Sequence, residues 1–219
     1  MEKVKNLISG NWVNSKSENI IHLINPSNGD NLASIPRSEG IDIDLAVKSA
    51  KSAFEKHWSK TPAFERGKYL QRISNKIYES IDELAEVESK DTGKPLKQSR
   101  VDAQVAARYF EFYAGAADKI HGEVIPSQYG INSFTKREPH GVTGHIIPWN
   151  YPLQMGSRTF AASLAAGNCV VIKPAEEACL SVLKIANFAI ELGLPPDVIN
   201  IVTGYGEETG PTLCKHRDI

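Results

Sequence analysis

The sequence has 219 residues, of which 41% are hydrophobic and 23% are charged, and its formal net charge is −1. That length predicts one large domain or two small ones, and the composition is typical of a globular chain. Because it has no basic excess, no apolar run near the ~20 residues of a membrane span and no signal-peptide core, we expect a cytoplasmic protein without nucleic-acid or membrane partners.

The first forty residues alternate between apolar and polar positions. Turn signals at Asn25-Pro26 and Asn28-Gly29 separate these runs, and the pattern predicts short strands. Asp42 then precedes apolar residues spaced four apart, so we expect it to cap the first helix.

A second helix is predicted to open at Pro62 and to continue, on one regular apolar pattern, until it ends near Gly93. A third helix is expected over about residues 96–119. Its apolar stripe is predicted to comprise Val101, Val105, Tyr109 and Phe112. We expect the aromatic residues of these helices to belong to a core rather than to a cofactor site.

Residues 123–140 are turn-rich and predict a β-hairpin. Beyond Gly141, strand-like and helical segments alternate, over residues 142–147, 153–166, 169–173, 180–192 and 198–202. This alternation predicts an α/β fold in which residues 141–219 form half of a doubly wound parallel sheet. We expect the last of the three strands to lack neighbours and to present an open edge.

Two strand-to-helix junctions stand out in this half-sheet. The first is residues 146–152, Ile-Ile-Pro-Trp-Asn-Tyr-Pro, and the second is residues 173–176, Lys-Pro-Ala-Glu. A βαβ unit binds its ligands outside the carboxyl ends of its strands. The spacing therefore predicts that Asn150 and Lys173 lie in one ligand site.

Each of these polar residues has a chemical and a structural interpretation. The Asn150 amide could donate to an oxygen that gains negative charge in acyl chemistry, or it could close a turn before Pro152. Lys173 and Glu176 could bind the ribose hydroxyls of a dinucleotide, or they could form a solvated ion pair.

A glycine cluster follows the third strand. Gly204, Gly206 and Gly210 are spaced one residue wider than the dinucleotide fingerprint and follow the wrong strand for it, so we expect a turn and a helix start rather than a pyrophosphate cradle.

The cysteines and histidines predict no further chemistry. Cys169, Cys179 and Cys214 have neither metal-ligand spacing nor an even count, and we expect three reduced cysteines. No His-x-x-His pair or carboxylate cluster surrounds His140 and His145, so no metal site is predicted.

The two junctions, at this spacing, resemble the Pro-Trp-Asn-(Phe/Tyr)-Pro and Lys-Pro-(Ser/Ala)-Glu segments of the aldehyde dehydrogenase superfamily. The resemblance covers nearly the whole chain, which looks like the betaine-aldehyde and semialdehyde dehydrogenases. It implies N-terminal strands and helices followed by the first half of a Rossmann-like sheet. The family's nucleophilic Cys and general-base Glu would follow residue 219, so we expect residues 1–219 to be the N-terminal part of a truncated domain.

The implied activity is the NAD-dependent oxidation of a small-molecule aldehyde to a carboxylic acid through a thiohemiacetal and a thioester, with NADP as the alternative cofactor. Without the nucleophile, residues 1–219 alone are expected to be inactive. Two other interpretations stay open at this point: a non-catalytic nucleotide-binding or assembly module, and an acylating relative that makes a CoA thioester.

The resemblance also implies roles for individual residues. Asn150 would hold the oxyanion, and Lys173 and Glu176 would contact the adenosine ribose. Further cofactor contacts are expected from Ile146, Ile147, Pro148, Trp149, Gly206 and Gly210. The aldehyde tunnel would be lined by Tyr151, Gln154, Met155 and Arg158.

Two finer expectations follow from the family. Some relatives that oxidise acidic semialdehydes carry an Arg at the position of Arg158, where it pairs with the substrate carboxylate, although a structural or solvent-facing Arg fits equally. The segment 123–140 would contribute to a homodimer or homotetramer.

Overall fold

The computed structural model describes residues 2–219, and this part of the chain forms ten strands and seven α-helices. The strands are β1 (Glu2–Lys3), β2 (Asn6–Ile8), β3 (Asn11–Val13), β4 (Ile20–Ile24), β5 (Asn31–Pro36), β6 (Val124–Ile125), β7 (Ser133–Phe134), β8 (Val142–Ile147), β9 (Cys169–Pro174) and β10 (Ile199–Ile201). The helices are α1 (Gly40–Lys56), α2 (Ala63–Glu79), α3 (Ile81–Thr92), α4 (Leu96–Ala116), α5 (Pro152–Ala165), α6 (Leu180–Glu191) and α7 (Gly206–Lys215). Short 3₁₀ turns follow α1 and α4, at Trp58–Lys60 and Ala117–Lys119.

The main sheet has the strand order β3-β2-β10-β9-β8. Its three C-terminal strands are parallel, which confirms the α/β prediction and the half of a doubly wound sheet. All six residues of β9 are buried, because α5 packs on β8 and β9 while α1 packs across β8, β9 and β10. A fully covered central strand of this kind explains the continuous apolar run Cys-Val-Val-Ile in the sequence.

The open edge predicted for the third parallel strand is wrong. β2 pairs antiparallel with β10, with Leu7 opposite Ile201, and β3 continues the sheet beyond it. The N-terminal strands therefore supply the backbone partners that β10 needs. A pairing between segments so far apart in the chain leaves no local pattern from which it could be predicted.

Two smaller sheets complete the strand content of the described residues. β1, β5 and β4 form one, and β6 and β7 form a two-stranded hairpin with Val124 opposite Phe134. This hairpin lies within the predicted segment 123–140, and Val124 is 87% exposed. None of the helices in residues 2–219 is long and apolar enough to cross a bilayer.

The starts and ends of the first helices differ from the prediction. α1 is capped by Glu39 rather than by Asp42, whose carboxylate instead reaches back from the first turn to accept the Glu39 N–H at 3.1 Å. The second predicted helix is two helices, α2 and α3. They are separated at Ser80, whose backbone angles of −113° and 20° are not helical.

The buried face of α4 also differs from the predicted stripe, since Val101 and Phe112 are 43% and 56% exposed. Its buried residues are mostly small: Ser99, Asp102, Ala103, Ala106, Ala107 and Phe110. α4 packs against α2, α3 and α5, and a Cβ added to Gly67 of α2 would lie only 2.7 Å from the Ala114 carbonyl oxygen. Close helix approach therefore selects the face with small side chains over the face with large ones.

Candidate active site

The candidate site lies where the parallel strands β8 and β9 end. In their register Ile146 pairs with Lys173 and Ile147 pairs with Pro174, so the two strand ends lie side by side. The loops that follow them carry the two junctions singled out in the sequence. The structure thus brings Asn150 and Lys173 to the same edge of the sheet, as the βαβ pattern predicts.

Asn150 lies in the exposed loop between β8 and α5. Pro148, Trp149 and Asn150 are all exposed, and α5 begins at Pro152 with Tyr151 before it. The Asn150 side-chain amide makes no hydrogen bond with any residue of 2–219, so it does not close a turn within this part of the chain. Its N–H groups are free to donate to a ligand.

Lys173 and Glu176 form a largely buried pair rather than a solvated one. Lys173 is 2% exposed, and its Nζ donates to Glu176 Oε2 at 2.7 Å. Gly206, at the start of α7, donates its backbone N–H to Glu176 Oε1 at 3.2 Å. Burial opposes the charge on Glu176, but these hydrogen bonds outweigh burial and hold the pKa of the carboxyl below its usual value.

A small apolar surface adjoins this pair. A Cβ added to Gly206 would lie 3.8 Å from Glu176 Oε1, and one added to Gly210 would lie 3.8 Å from Ile146 Cδ1. Gly206 therefore lies beside the ion pair, and Gly210 lies beside the half-exposed Ile146. Ile147 points to the opposite side of the strand and is buried, so only its backbone can face a ligand at this edge.

The face of α5 that is predicted to line a substrate tunnel is largely exposed to solvent, as far as residues 2–219 are concerned. Tyr151 and Arg158 are exposed and Met155 is partly buried, and Arg158 forms no ion pair within this range. Gln154 differs from the other three, because its Nε2 donates to Asp102 Oδ1 of α4 at 2.7 Å. Its amide is thereby directed towards α4.

Sequence reasoning missed a charged cluster beneath the Asn150 loop. Lys94 contacts Glu88, Asp102 and the backbone carbonyl of Asn150. A signal for it existed, since Glu88 and Asp102 occupy buried helix positions among apolar residues. A carboxylate at such a position needs a partner.

Two of the three cysteines, and His145, lie in environments that suppress their reactivity. Cys169 and Cys179 are buried, and burial raises the pKa of Cys169 to about 12 and that of Cys179 well above its usual value. Cys214 is exposed in α7. His145 bonds Thr143 and Ser163, and burial lowers its pKa to about 4, so the ring is neutral. No group of three His, Cys, Asp or Glu residues within 2–219 could hold a metal ion.

Known proteins are similar to this chain along almost its whole length. Residues 12–219 match the model of the aldehyde dehydrogenase family. The chain is 40% identical over 215 residues to aldehyde dehydrogenase family 2 member B4 of Arabidopsis thaliana, covering 97% of this chain and 40% of that protein. It is 41% identical over 214 residues to betaine aldehyde dehydrogenase of Bacillus subtilis, covering 97% of this chain and 44% of that protein.

Solved structures give the same result. PnpE, crystallised in complex with nicotinamide adenine dinucleotide, has a TM-score of 0.96 and 40% identity over 100% of this chain and 45% of its own. Betaine aldehyde dehydrogenase from Staphylococcus aureus in complex with NAD⁺ has a TM-score of 0.95 and 36% identity over 98% of this chain and 43% of its own. The chain thus spans less than half the length of these relatives.

Proposed function

This chain belongs to the aldehyde dehydrogenase family, and we propose that within the complete protein it supplies the cofactor-binding edge and one oxyanion donor for the oxidation of an aldehyde to a carboxylic acid. The observation that carries this proposal is the position of Asn150. Its free amide lies at the carboxyl end of β8, beside the strand end that carries Lys173 and Glu176.

The residues at this edge fit a dinucleotide. A ribose presents neighbouring hydroxyls, and the Glu176 carboxylate, kept ionised by Lys173 and the Gly206 N–H, can accept from them. Ile146 and Gly210 offer the apolar contact that an adenosine needs beside that ribose. When bound, NAD would supply the chemistry of hydride acceptance from the aldehyde carbon.

Asn150 would act on the other reactant. During attack on an aldehyde its carbonyl oxygen gains negative charge, and a fixed amide N–H stabilises that charge more than it stabilises the ground state. Pro152 opens α5 immediately beyond and fixes the backbone there. The exposed α5 face with Tyr151, Met155 and Arg158 would then border the aldehyde, and Arg158 would favour substrates that carry a carboxylate.

NAD is the proposed cofactor rather than NADP. Glu176 would lie at the ribose hydroxyl that carries the additional phosphate in NADP, so two negative charges would meet there. Relatives with NAD⁺ bound support this choice, while a relative from Saccharomyces cerevisiae is named for both cofactors.

Residues 1–219 alone would not carry out the reaction. Two of the three cysteines are buried with raised pKa values, and the third, Cys214, lies in α7 rather than at the Asn150 loop. The covalent step therefore has no attacking thiolate at this edge of the sheet.

The complete protein would assemble as a homodimer or homotetramer. The exposed apolar residues of segment 123–140, such as Val124 and Phe134, and those of α4, such as Val101 and Phe112, support this proposal.

The function is tested by purifying the complete protein and following NADH formation with neutral, cationic and acidic aldehydes, with and without CoA. We expect aldehyde-dependent NADH and a free carboxylic acid as the product. A protein that binds NAD but produces no NADH with any of these aldehydes would be a binding module instead. Formation of a CoA thioester would place the protein with the acylating relatives.

A further inference from the structure

The backbone of the Asn150 loop is held by one partly buried ammonium group. Lys94 lies in the turn between α3 and α4, and its Nζ donates to the Asn150 carbonyl oxygen at 2.9 Å. The same atom contacts Glu88 Oε1 at 2.9 Å and Asp102 Oδ2 at 2.7 Å. An ammonium has three N–H donors, so every donor of Lys94 has a partner and its direction is fixed.

The two carboxylates that hold Lys94 are completely buried, whereas the Lys94 side chain is 13% exposed. Burial alone would lower the pKa of Lys94, but the hydrogen bonds and charges of Asp102 and Glu88 outweigh burial and raise it. Lys94 therefore stays charged. Burial raises the pKa of Glu88, which reduces the excess of negative charge in this group.

Asp102 also connects Lys94 and Glu88 to α5, the helix that follows Asn150. Asp102 Oδ1 accepts from Gln154 Nε2 at 2.7 Å, and Gln154 lies in the first turn of α5. Lys94 Nζ also lies 4.4 Å from the centroid of the Tyr151 ring. The carbonyl of Asn150 and the helix that follows it are thus fixed to α4 through one carboxylate.

Apart from the Met155 N–H, which donates to the Tyr151 carbonyl at the start of α5, nothing else within residues 2–219 holds this loop by hydrogen bonds. The bond from Lys94 is the only one that any of residues 148–150 makes in that range. An oxyanion donor on an exposed loop must nevertheless be placed to within about 0.5 Å of its productive position. A displacement of about 1 Å can cost on the order of 10²-fold in rate.

We propose that Lys94 is a positioning residue for Asn150, fixing its peptide through the buried carboxylates of Glu88 and Asp102. This inference rests on the proposed oxyanion role of Asn150. It adds a residue from the turn between α3 and α4 that forms no hydrogen bond with Lys173 or Glu176. Its consequence is that the effect of Lys94 on turnover depends on the presence of the Asn150 side chain.

The test is a double-mutant cycle in the complete protein with Lys94→Met and Asn150→Ala, measuring kcat and the Kd of NAD. We expect Lys94→Met to lower kcat by about 10- to 100-fold and to change the Kd of NAD by less than about threefold, because the NAD edge does not contact Lys94. In the Asn150→Ala background, the same substitution should lower kcat by less than about threefold. The matched control is Lys90→Met, an exposed lysine of α3, which should leave kcat unchanged.

The outcomes separate the two proposals. If Asn150→Ala itself keeps normal kcat, the proposed oxyanion role is wrong. If Asn150→Ala lowers kcat but Lys94→Met lowers it equally in both backgrounds, Lys94 acts structurally and the positioning role is overturned. Should Lys94→Met fail to fold, Gln154→Leu and Lys94→Arg are taken through the same cycle, and each should show the same dependence on Asn150.

Discussion

Glu176, in the loop after β9, accepts a hydrogen bond from the backbone N–H of Gly206, thirty residues further along the chain. Gly206 is the first residue of α7, and Tyr205 before it provides no side-chain cap. The carboxylate therefore satisfies an N–H group that would otherwise lack a partner at the start of the helix. One residue serves both the helix start and the proposed cofactor edge.

The first prediction concerns cofactor choice. In Glu176→Gln the negative charge at the ribose is removed, and the ratio of kcat/KM for NADP to that for NAD should rise at least several-fold. Repulsion between two such charges costs on the order of one to several kcal/mol. Glu177→Gln, an exposed neighbour, is the control. An unchanged ratio in Glu176→Gln would count against the proposed ribose contact.

The second prediction concerns Asn150. Asn150→Ala removes one oxyanion donor and should lower kcat by about 10²–10³-fold with little change in the Kd of NAD. Asn187→Ala, on the exposed face of α6, should leave both quantities unchanged. The measurement is steady-state NADH formation, with pre-steady-state kinetics in which the absence of an NADH burst shows that hydride transfer or an earlier step limits turnover. Normal turnover under that condition would contradict the oxyanion role.

The third prediction concerns acid stability. The pKa of His145 is about 4 in the folded protein and near 6.5 when unfolded, so the unfolded state binds more protons between these values. The contribution of the neutral His145 to the free energy of unfolding is therefore complete above pH 6.5 and is lost as the pH falls towards 4. His145→Gln should remove this dependence, which is on the order of 3 kcal/mol over the whole range.

The measurement for His145 is the denaturation midpoint of the complete protein at several pH values between 4.5 and 7.5. The control is His121→Gln, in an exposed position. If the wild type and His145→Gln lose stability in parallel as the pH falls, the histidine is not the group responsible.

The fourth prediction concerns the thiols of residues 1–219. In the folded chain a thiol reagent should modify Cys214 rapidly and Cys169 and Cys179 only after denaturation, because the last two are buried with raised pKa values. Aldehyde-dependent NADH formation should be absent. Turnover that disappears in Cys214→Ser would show that this chain contains its own nucleophile.

The fifth prediction tests the close approach of α2 and α4. Gly67→Ala should destabilise the protein by about 1–3 kcal/mol, because the new methyl would meet the Ala114 carbonyl at 2.7 Å. Gly115→Ala is the matched control, since nothing lies within 4 Å of a Cβ added there. It should be stabilising by about 0.5–1 kcal/mol, as expected of Ala replacing Gly in a helix. If both substitutions changed the free energy of unfolding equally, α2 and α4 would be packed less closely than the 2.7 Å contact implies.

The sequence predicts the second half of the chain better than the first. β8, α5, β9 and α6 lie within one or two residues of their predicted bounds, because apolar strand runs alternate there with helices that end just before Gly167 and Gly193. The junctions at Asn150 and Lys173 are neighbours, as predicted, because the parallel strands of a βαβ unit end at one edge of the sheet.

The errors come from interactions that no local window contains. The stripe chosen for α4 followed the largest side chains, but three neighbouring helices select its alanine face. The break at Ser80 interrupts an apolar pattern that continues unchanged across it. Lys94 was missed because its partners come from α3, α4 and the Asn150 loop.

The pairing of β2 with β10 has a consequence for how the chain folds as it is made. Asn6 bonds the backbone and hydroxyl of Thr203, and Ser9 bonds the side chain of Asn200, 191 residues away. β2 and β3 leave the ribosome before β10 and can join the parallel sheet only after β10 has been synthesised. Contacts between residues so far apart in the sequence slow folding. Until β10 forms, β2 and β3 can pair with each other but with no strand of the parallel sheet.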